Sequence, residues 1–177
     1  MLVMKYIRHY LLKSRFYTIG VLSNRHKFVP ALKTSIMETA NKTKITVETT
    51  VNAPLQNVWD YWTEPEHITK WNAASDDWHT PWAENDLRVG GKFRARMEAK
   101  DGSFGFDFEG TYDDVQESKY LEYTIADGRK VQVSFSGQGN STKVIETFEA
   151  EETNSIEMQR GGWQSIMDNF KKYAESK

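Results

Sequence analysis

The sequence predicts an α+β domain: a curved antiparallel sheet of about six strands wrapped around one long C-terminal helix, with two short helices after the first strand. Three observations lead there. Residues 44–51 and a series of segments from 92 onward alternate apolar and polar side chains, the period of half-buried strands. Tight-turn pairs, Asp101-Gly102 and Asp127-Gly128, and the run Gly137-Gln138-Gly139-Asn140 separate those segments, so neighbours pair antiparallel. One apolar stripe at helical spacing, from about residue 155 to 175, closes the chain.

In the first strand Ile45, Val47, Thr49 and Val51 share one face and Thr46, Glu48 and Thr50 the other. Asn52-Ala53-Pro54 ends it, and Pro54 suits a helix start, after which Leu55, Val58, Trp59 and Trp62 fall on one helical face. Thr63-Glu64-Pro65-Glu66 restarts a second short helix that ends near Trp71. Residues 72–87 read as an irregular loop carrying Asp76, Asp77, Trp78, His79, Pro81 and Trp82. From Gly90-Gly91 the apolar faces are Phe93, Ala95 and Met97; then Phe104, Phe106 and Phe108; Leu121, Tyr123 and Ile125; Val131, Val133 and Phe135; and Val144, Glu146 and Phe148. The last helix is capped by Ser155 and carries Ile156, Trp163, Ile166, Met167, Phe170 and Tyr173 on its stripe. Gly161-Gly162 inside it predicts a bend or a close backbone approach.

At 38% hydrophobic and 27% charged over 177 residues, the composition is that of one globular domain. Residues 38–177 are assigned to it, and residues 1–37 to a basic N-terminal extension, disordered or helical, with seven Lys/Arg and no Asp or Glu. Three readings of the extension stand: an organelle transit peptide, a helix on an anionic membrane surface, or a stretch upstream of a true start at Met37, where the composition changes sign. The third is preferred. All 25 acidic residues but only 16 of the 23 basic ones lie in residues 38–177, and an acidic body argues against nucleic-acid binding. The chain has no cysteine, which excludes disulfides, thiolate nucleophiles and Cys-based metal sites. With no apolar run of about 18 residues, no membrane span is expected. The expected location is the cytoplasm, or an organelle if residues 1–36 are a presequence.

Five of the six tryptophans fall within residues 59–82, and Trp163 opens the last helix. A concentration of indoles marks either a core or a ligand-holding cavity, and both readings stand. Asp76, Asp77 and His79 form the one close cluster of acids and an imidazole, which makes Asp76 and His79 the candidate catalytic pair; the plainer reading, preferred here, is solvated loop residues with an aspartate capping a turn. With His67 and His79 as the only histidines in the body, no metal site is expected, and no cofactor either. Asp107 and Glu109 alternate with Phe106 and Phe108, so they should pair with Arg94 and Arg96 on the outer face unless a bulge reverses the phase.

The order of elements, with Ala53-Pro54, Val58-Trp59, Trp62, Pro65-Glu66-His67, Lys70-Trp71, the run from Asp86 to Phe93, Gly110-Thr111-Tyr112 and Gly162-Trp163, resembles the helix-grip fold of the START-like (SRPBCC) superfamily. Within it, the chain is similar to homologues of the C-terminal domain of the activator of the heat-shock protein 90 ATPase. The resemblance covers residues 44–176 and implies a cavity between the sheet and the last helix, holding a small hydrophobic or aromatic molecule. Its expected walls are Trp59, Trp62, Trp71 and Trp78 from the helices and loop, and Phe93, Met97, Phe106, Phe108, Tyr123 and Phe135 from the sheet. Trp163, Met167 and Phe170 complete them from the long helix. Two other functions are implied: a polyketide-cyclase or dehydratase type of enzyme with Asp76 or His79 as base, and a chaperone ATPase regulator. The third is weakened because residues 1–37 are too short to supply the additional N-terminal domain of such activators. Whether the chain is an enzyme stays open, and a chaperone or a second copy of the chain are the protein partners left in view.

Overall fold

The computed structural model describes residues 42–177, and the expectations for residues 1–37 lie outside the described residues. Strand β1 (Lys44–Val51) leads through Pro54 into helices α1 (Leu55–Thr63) and α2 (Pro65–Trp71). Two short strands follow, β2 (Trp78–His79) and β3 (Ala83–Asn85), then β4 (Lys92–Ala99), β5 (Gly105–Gln116), β6 (Tyr120–Ile125), β7 (Lys130–Gln138) and β8 (Ser141–Glu149). Helix α3 (Ile156–Ala174) ends the fold. The strands form one antiparallel sheet in the order β1-β8-β7-β6-β5-β4-β2, with β3 also paired to β4.

This is the predicted helix-grip fold with eight strands in place of about six. The extra two, β2 and β3, lie in the segment expected to be an irregular loop, and at two and three residues they are too short for alternation to reveal them. The remaining phases match: Ile45, Val47 and Val51, then Val131, Val133 and Phe135, and Val144 and Phe148, are buried together. In β5 the register with β6 shifts between Tyr112 and Asp114, a bulge that adds twist where the sheet curls over the helix. It falls after Glu109, so the phase at Asp107 is kept. Arg96 Nη1 lies 3.2 Å from Asp107 Oδ1 and Arg94 Nε 3.5 Å from Glu109, with Arg94 also paired to Asp107, all on the outer face.

Because β1 is an edge strand, its outward carbonyls have no strand to accept from. Helix α3 supplies the donors: Arg160 Nη1 reaches the Thr46 carbonyl at 3.2 Å, Gln164 Nε2 the Glu48 carbonyl at 3.2 Å, and Lys171 Nζ the Thr50 carbonyl. These bonds lay α3 along β1, with Phe148 stacked on Trp163 at 4.0 Å beneath its first half. Ser155 caps the helix as expected, its Oγ accepting from Met158 N at 3.2 Å. The helix runs unbroken through Gly161-Gly162, and a Cβ at Gly161 would meet nothing within 4 Å, so no close approach accounts for that glycine.

Candidate functional site

The space between α3 and the sheet is filled at one end and hollow at the other. At the filled end α1 lies over β7 and β8. Trp59 meets Phe135 at 5.3 Å, Trp62 meets Phe170 at 4.7 Å, and Trp71 meets Phe170 at 5.0 Å, edge to face. Met167 and Phe170 are sealed there. At the other end a pocket of about 170 Å³ opens between β4–β6 and the Gly162-Trp163-Ile166 face of α3, with Ile68 and Trp71 of α2 and Ala83 of β3 at its side. Its sheet wall is Phe93, Ala95, Met97, Phe106, Phe108 and Tyr123. That volume is on the order of the apolar cavities, about 150 Å³, that hold one benzene-sized ring.

Local sequence explains the wall. Gly110 pairs with Phe93 across β4–β5, and a Cβ at Gly110 would come within 2.7 Å of both the Phe93 ring and the Thr124 carbonyl. The missing side chain lets the Phe93 ring lie flat over the strand, against Tyr123 at 4.9 Å and Phe108 at 5.7 Å. Trp71 donates its indole N–H at 2.9 Å to the Tyr61 carbonyl in α1, which turns an apolar surface toward the pocket. Tyr112 donates at 2.9 Å to Asn85 Oδ1, and Asn85 Nδ2 donates at 2.6 Å to the Thr63 carbonyl, tying β5 and β3 to the end of α1. Burial pushes the Tyr112 hydroxyl's pKa up, against the pull of Asn85, so it stays a neutral donor.

One acidic group stands inside this apolar lining. Glu146 of β8 is 6% exposed and lies in the inward phase between Val144 and Phe148. Tyr123 donates its hydroxyl to Glu146 Oε1 at 3.2 Å. Burial lifts the Glu146 carboxyl to about 8, with the Tyr123 hydrogen bond pulling the other way, while burial and the neighbouring carboxyl push Tyr123 well above the usual tyrosine range. Arg129 also lines the pocket, but its guanidinium is engaged: Nε reaches Asp127 Oδ2 at 2.9 Å and Nη1 the Glu149 carbonyl at 3.0 Å.

Of the residues the sequence points to, Trp62, Trp71, Phe93, Met97, Phe106, Phe108, Tyr123 and Trp163 are brought together around the pocket. Trp59, Phe135, Met167 and Phe170 belong to the filled end. Trp78 lies behind the wall in a satellite cluster with Met97 and Ala99. Asp76 and His79 line a second depression with Lys100, Asn169 and Lys172, outside the sheet–helix pocket. There His79 Nε2 pairs with Glu98 at 3.2 Å and Asp77 accepts from Ser75 Oγ at 2.6 Å. Glu146, Arg129 and Ile166 were not among the candidates. The signal for Glu146 was present, since it is a charged residue at an inward position of an otherwise apolar strand face.

Among the described residues, Glu64, Glu66 and His67 form the one group of acids and imidazole close enough to share an ion; both glutamates are exposed, and His67 Nδ1 is within 2.6 Å of the Tyr173 hydroxyl. No described helix is long and apolar enough to cross a membrane.

A half-barrel sheet gripping a long C-terminal helix, with two short helices after its first strand, defines a START-like helix-grip domain. The chain belongs to the family described as Activator of Hsp90 ATPase homolog 1-like protein, whose model matches residues 52–175. It is similar to the AHSA1-like protein from Aeromonas hydrophila, with 46% identity over 76% of this chain and 93% of that one, and a TM-score of 0.72. A Cytophaga hutchinsonii protein is 53% identical over 75% of this chain and 92% of that one, with a TM-score of 0.66. A Chromobacterium violaceum protein at 18% identity, covering 75% and 98%, shares the fold with a TM-score of 0.68. None of the curated proteins matches the chain.

Proposed function

We propose that residues 38–177 form a binding domain for a small hydrophobic or aromatic molecule, held in the pocket between β4–β6 and α3. The observation that carries this is the hollow itself. Phe93, Phe106, Phe108 and Met97 of the sheet and Trp163 and Ile166 of α3 line a gap of about 170 Å³, while the same kinds of side chain a few residues away are packed solid. An unfilled apolar gap forfeits the dispersion and burial that its walls would gain on contact, so a guest of matching shape recovers them. The volume limits that guest to one ring with a short substituent, or an aliphatic molecule of similar bulk. Held by area burial with few polar contacts, it would bind weakly to moderately for its size.

Titration with ethylbenzene, followed by protein-observed NMR, tests this reading. Saturable shifts centred on Phe93, Phe108, Trp163 and Ile166 are expected. Shifts scattered over the surface, or none, would show that the gap closes in solution. The chaperone ATPase named in the family's description is a separate proposal, read by the effect of this chain on the ATPase rate.

A further inference from the structure

A buried carboxyl whose protein partner is a single tyrosine hydroxyl is unusual, because buried polar side chains ordinarily have their hydrogen-bonding capacity met. Gln159, the other acid-or-amide side chain sealed within the described fold, shows the ordinary case. Its Nε2 donates to the carbonyls of Glu151 and Asn154 at 3.0 and 2.9 Å, and its Oε1 accepts from Glu151 N at 2.9 Å. Glu146, in contrast, has Oε1 engaged by Tyr123 and leaves Oε2 to the pocket. No fully enclosed side-chain oxygen or nitrogen among the described residues lacks a partner, so the remaining Glu146 capacity faces accessible space. Apart from the engaged Arg129, the inner wall around it is aromatic or aliphatic.

Resting on the binding reading above, we propose that Glu146 and Tyr123 form the polar end of the pocket and select an uncharged ring compound bearing a hydrogen-bond acceptor, such as a ketone or aldehyde oxygen. Glu146 donates from its free oxygen to that acceptor, and Tyr123 fixes the carboxyl's orientation. The ring then lies against the wall formed by Phe93, Phe108 and Trp163. Burial favours the protonated carboxyl at neutral pH, which supplies the donor. A charged guest of either sign is disfavoured because it would have to be desolvated beside Glu146, with Arg129 at the pocket already engaged by Asp127.

Four probes of nearly equal bulk decide the matter: acetophenone, ethylbenzene, benzylamine and benzoate, each titrated into the protein by NMR. Acetophenone should bind about tenfold more tightly than ethylbenzene, the size of one added hydrogen bond to a buried donor, and both charged probes more weakly than either. The acetophenone preference should fall as pH rises through about 8. In Glu146→Leu it should vanish while ethylbenzene still binds; in Glu146→Gln, whose amide still donates, it should persist without the pH dependence. The charged and titratable groups facing the pocket from other elements are Glu84 of β3, Arg94 of β4, Tyr112 of β5, Tyr123 of β6 and Arg129 ahead of β7. Both variants keep all of these, so a pH effect lost on substitution belongs to Glu146. Equal affinity for acetophenone and ethylbenzene would overturn the polar selection and leave the apolar pocket standing. A preference for benzylamine or benzoate would overturn it with the opposite charge logic, and failure of all four to bind would defeat the pocket reading as well.

Discussion

The two ends of the space beneath α3 are built from the same side chains and end in opposite states. Over β7 and β8, α1 adds a second covering layer, so close that a Cβ added at Gly137 would lie 3.5 Å from Leu55, and the Trp59, Trp62, Phe135 and Phe170 rings interlock. Over β4 and β5 there is no interlocked second layer, and α2 reaches in only from the side, through Ile68 and Trp71. There the β5–β6 register shifts at the Asp113 bulge, and the Gly162-Trp163-Ile166 face of α3 is the main cover. Aromatic content therefore decides neither core nor cavity. The number of layers that reach a given patch of sheet does.

The largest test of that contrast is a pair of truncations. Phe170→Ala, at a side chain with no exposed surface and two indoles against it, should cost about 4 kcal/mol in urea unfolding. Phe106→Ala, on the half-buried wall of the pocket, should cost about 1 kcal/mol, because much of its surface already faces empty space. Equal costs would mean that the pocket collapses in solution and that both ends are core.

Glu146 sharpens the comparison through pH. Its folded value is raised from the ordinary 4.5 to about 8, so its contribution is fully present below 4.5 and is lost as pH climbs through 8. The full linkage is roughly 5 kcal/mol, and water entering the pocket beside the ionised group offsets part of it. Glu146→Gln should accordingly gain about 3 kcal/mol over the parent between pH 4 and pH 9, read by denaturant midpoints across that range. A flat difference would place Glu146 in contact with solvent. Gln159, sealed and fully bonded, should by contrast be costly to replace at any pH.

Filling experiments separate the ends in the other direction. Ala95→Leu adds bulk into the hollow and should be neutral or stabilising by about 1 kcal/mol while abolishing ethylbenzene binding. Val131→Phe adds bulk where Val131 has no exposed surface and should destabilise by about 1–3 kcal/mol.

Most of the fold was legible in the sequence because it is written in periods. The alternation from Phe93 through Phe148 and the stripe from Ile156 to Tyr173 are long enough to read, and the turns at Gly102 and Gly128 carry the positive φ that makes glycine informative there. β2 and β3 were not legible, since two or three residues hold no period, and they exist through pairing with β4. The site was legible only as an inventory. Nothing in the order of Trp59 and Trp62 tells that one seals the filled end while its neighbour one turn on also reaches the pocket, because that depends on where α1 meets β7. Asp76 and His79 drew attention through sequence proximity, whereas Glu146 pairs with Tyr123 from 23 residues away, across strands. A charge in the inward phase of an apolar strand is the stronger signal, because the strand's phase places it inside whatever its neighbours are.

The smallest effect concerns the helix that roofs the pocket. Gly161 sits on the exposed side of α3, with nothing within 4 Å of an added Cβ, while Gly162 next to it lines the hollow. Gly161→Ala should therefore raise stability by about 0.5–1 kcal/mol through helix propensity and a less flexible unfolded chain, without touching the pocket wall. Its effect on ethylbenzene affinity distinguishes two kinds of hollow. Unchanged affinity means that the pocket is preformed and the guest enters through the existing gap beside α2 and β3. Weaker or slower binding in the stiffer helix would mean that α3 must flex at the glycine pair to admit the guest, so that the glycines serve entry and the hollow is the closed state of a gate.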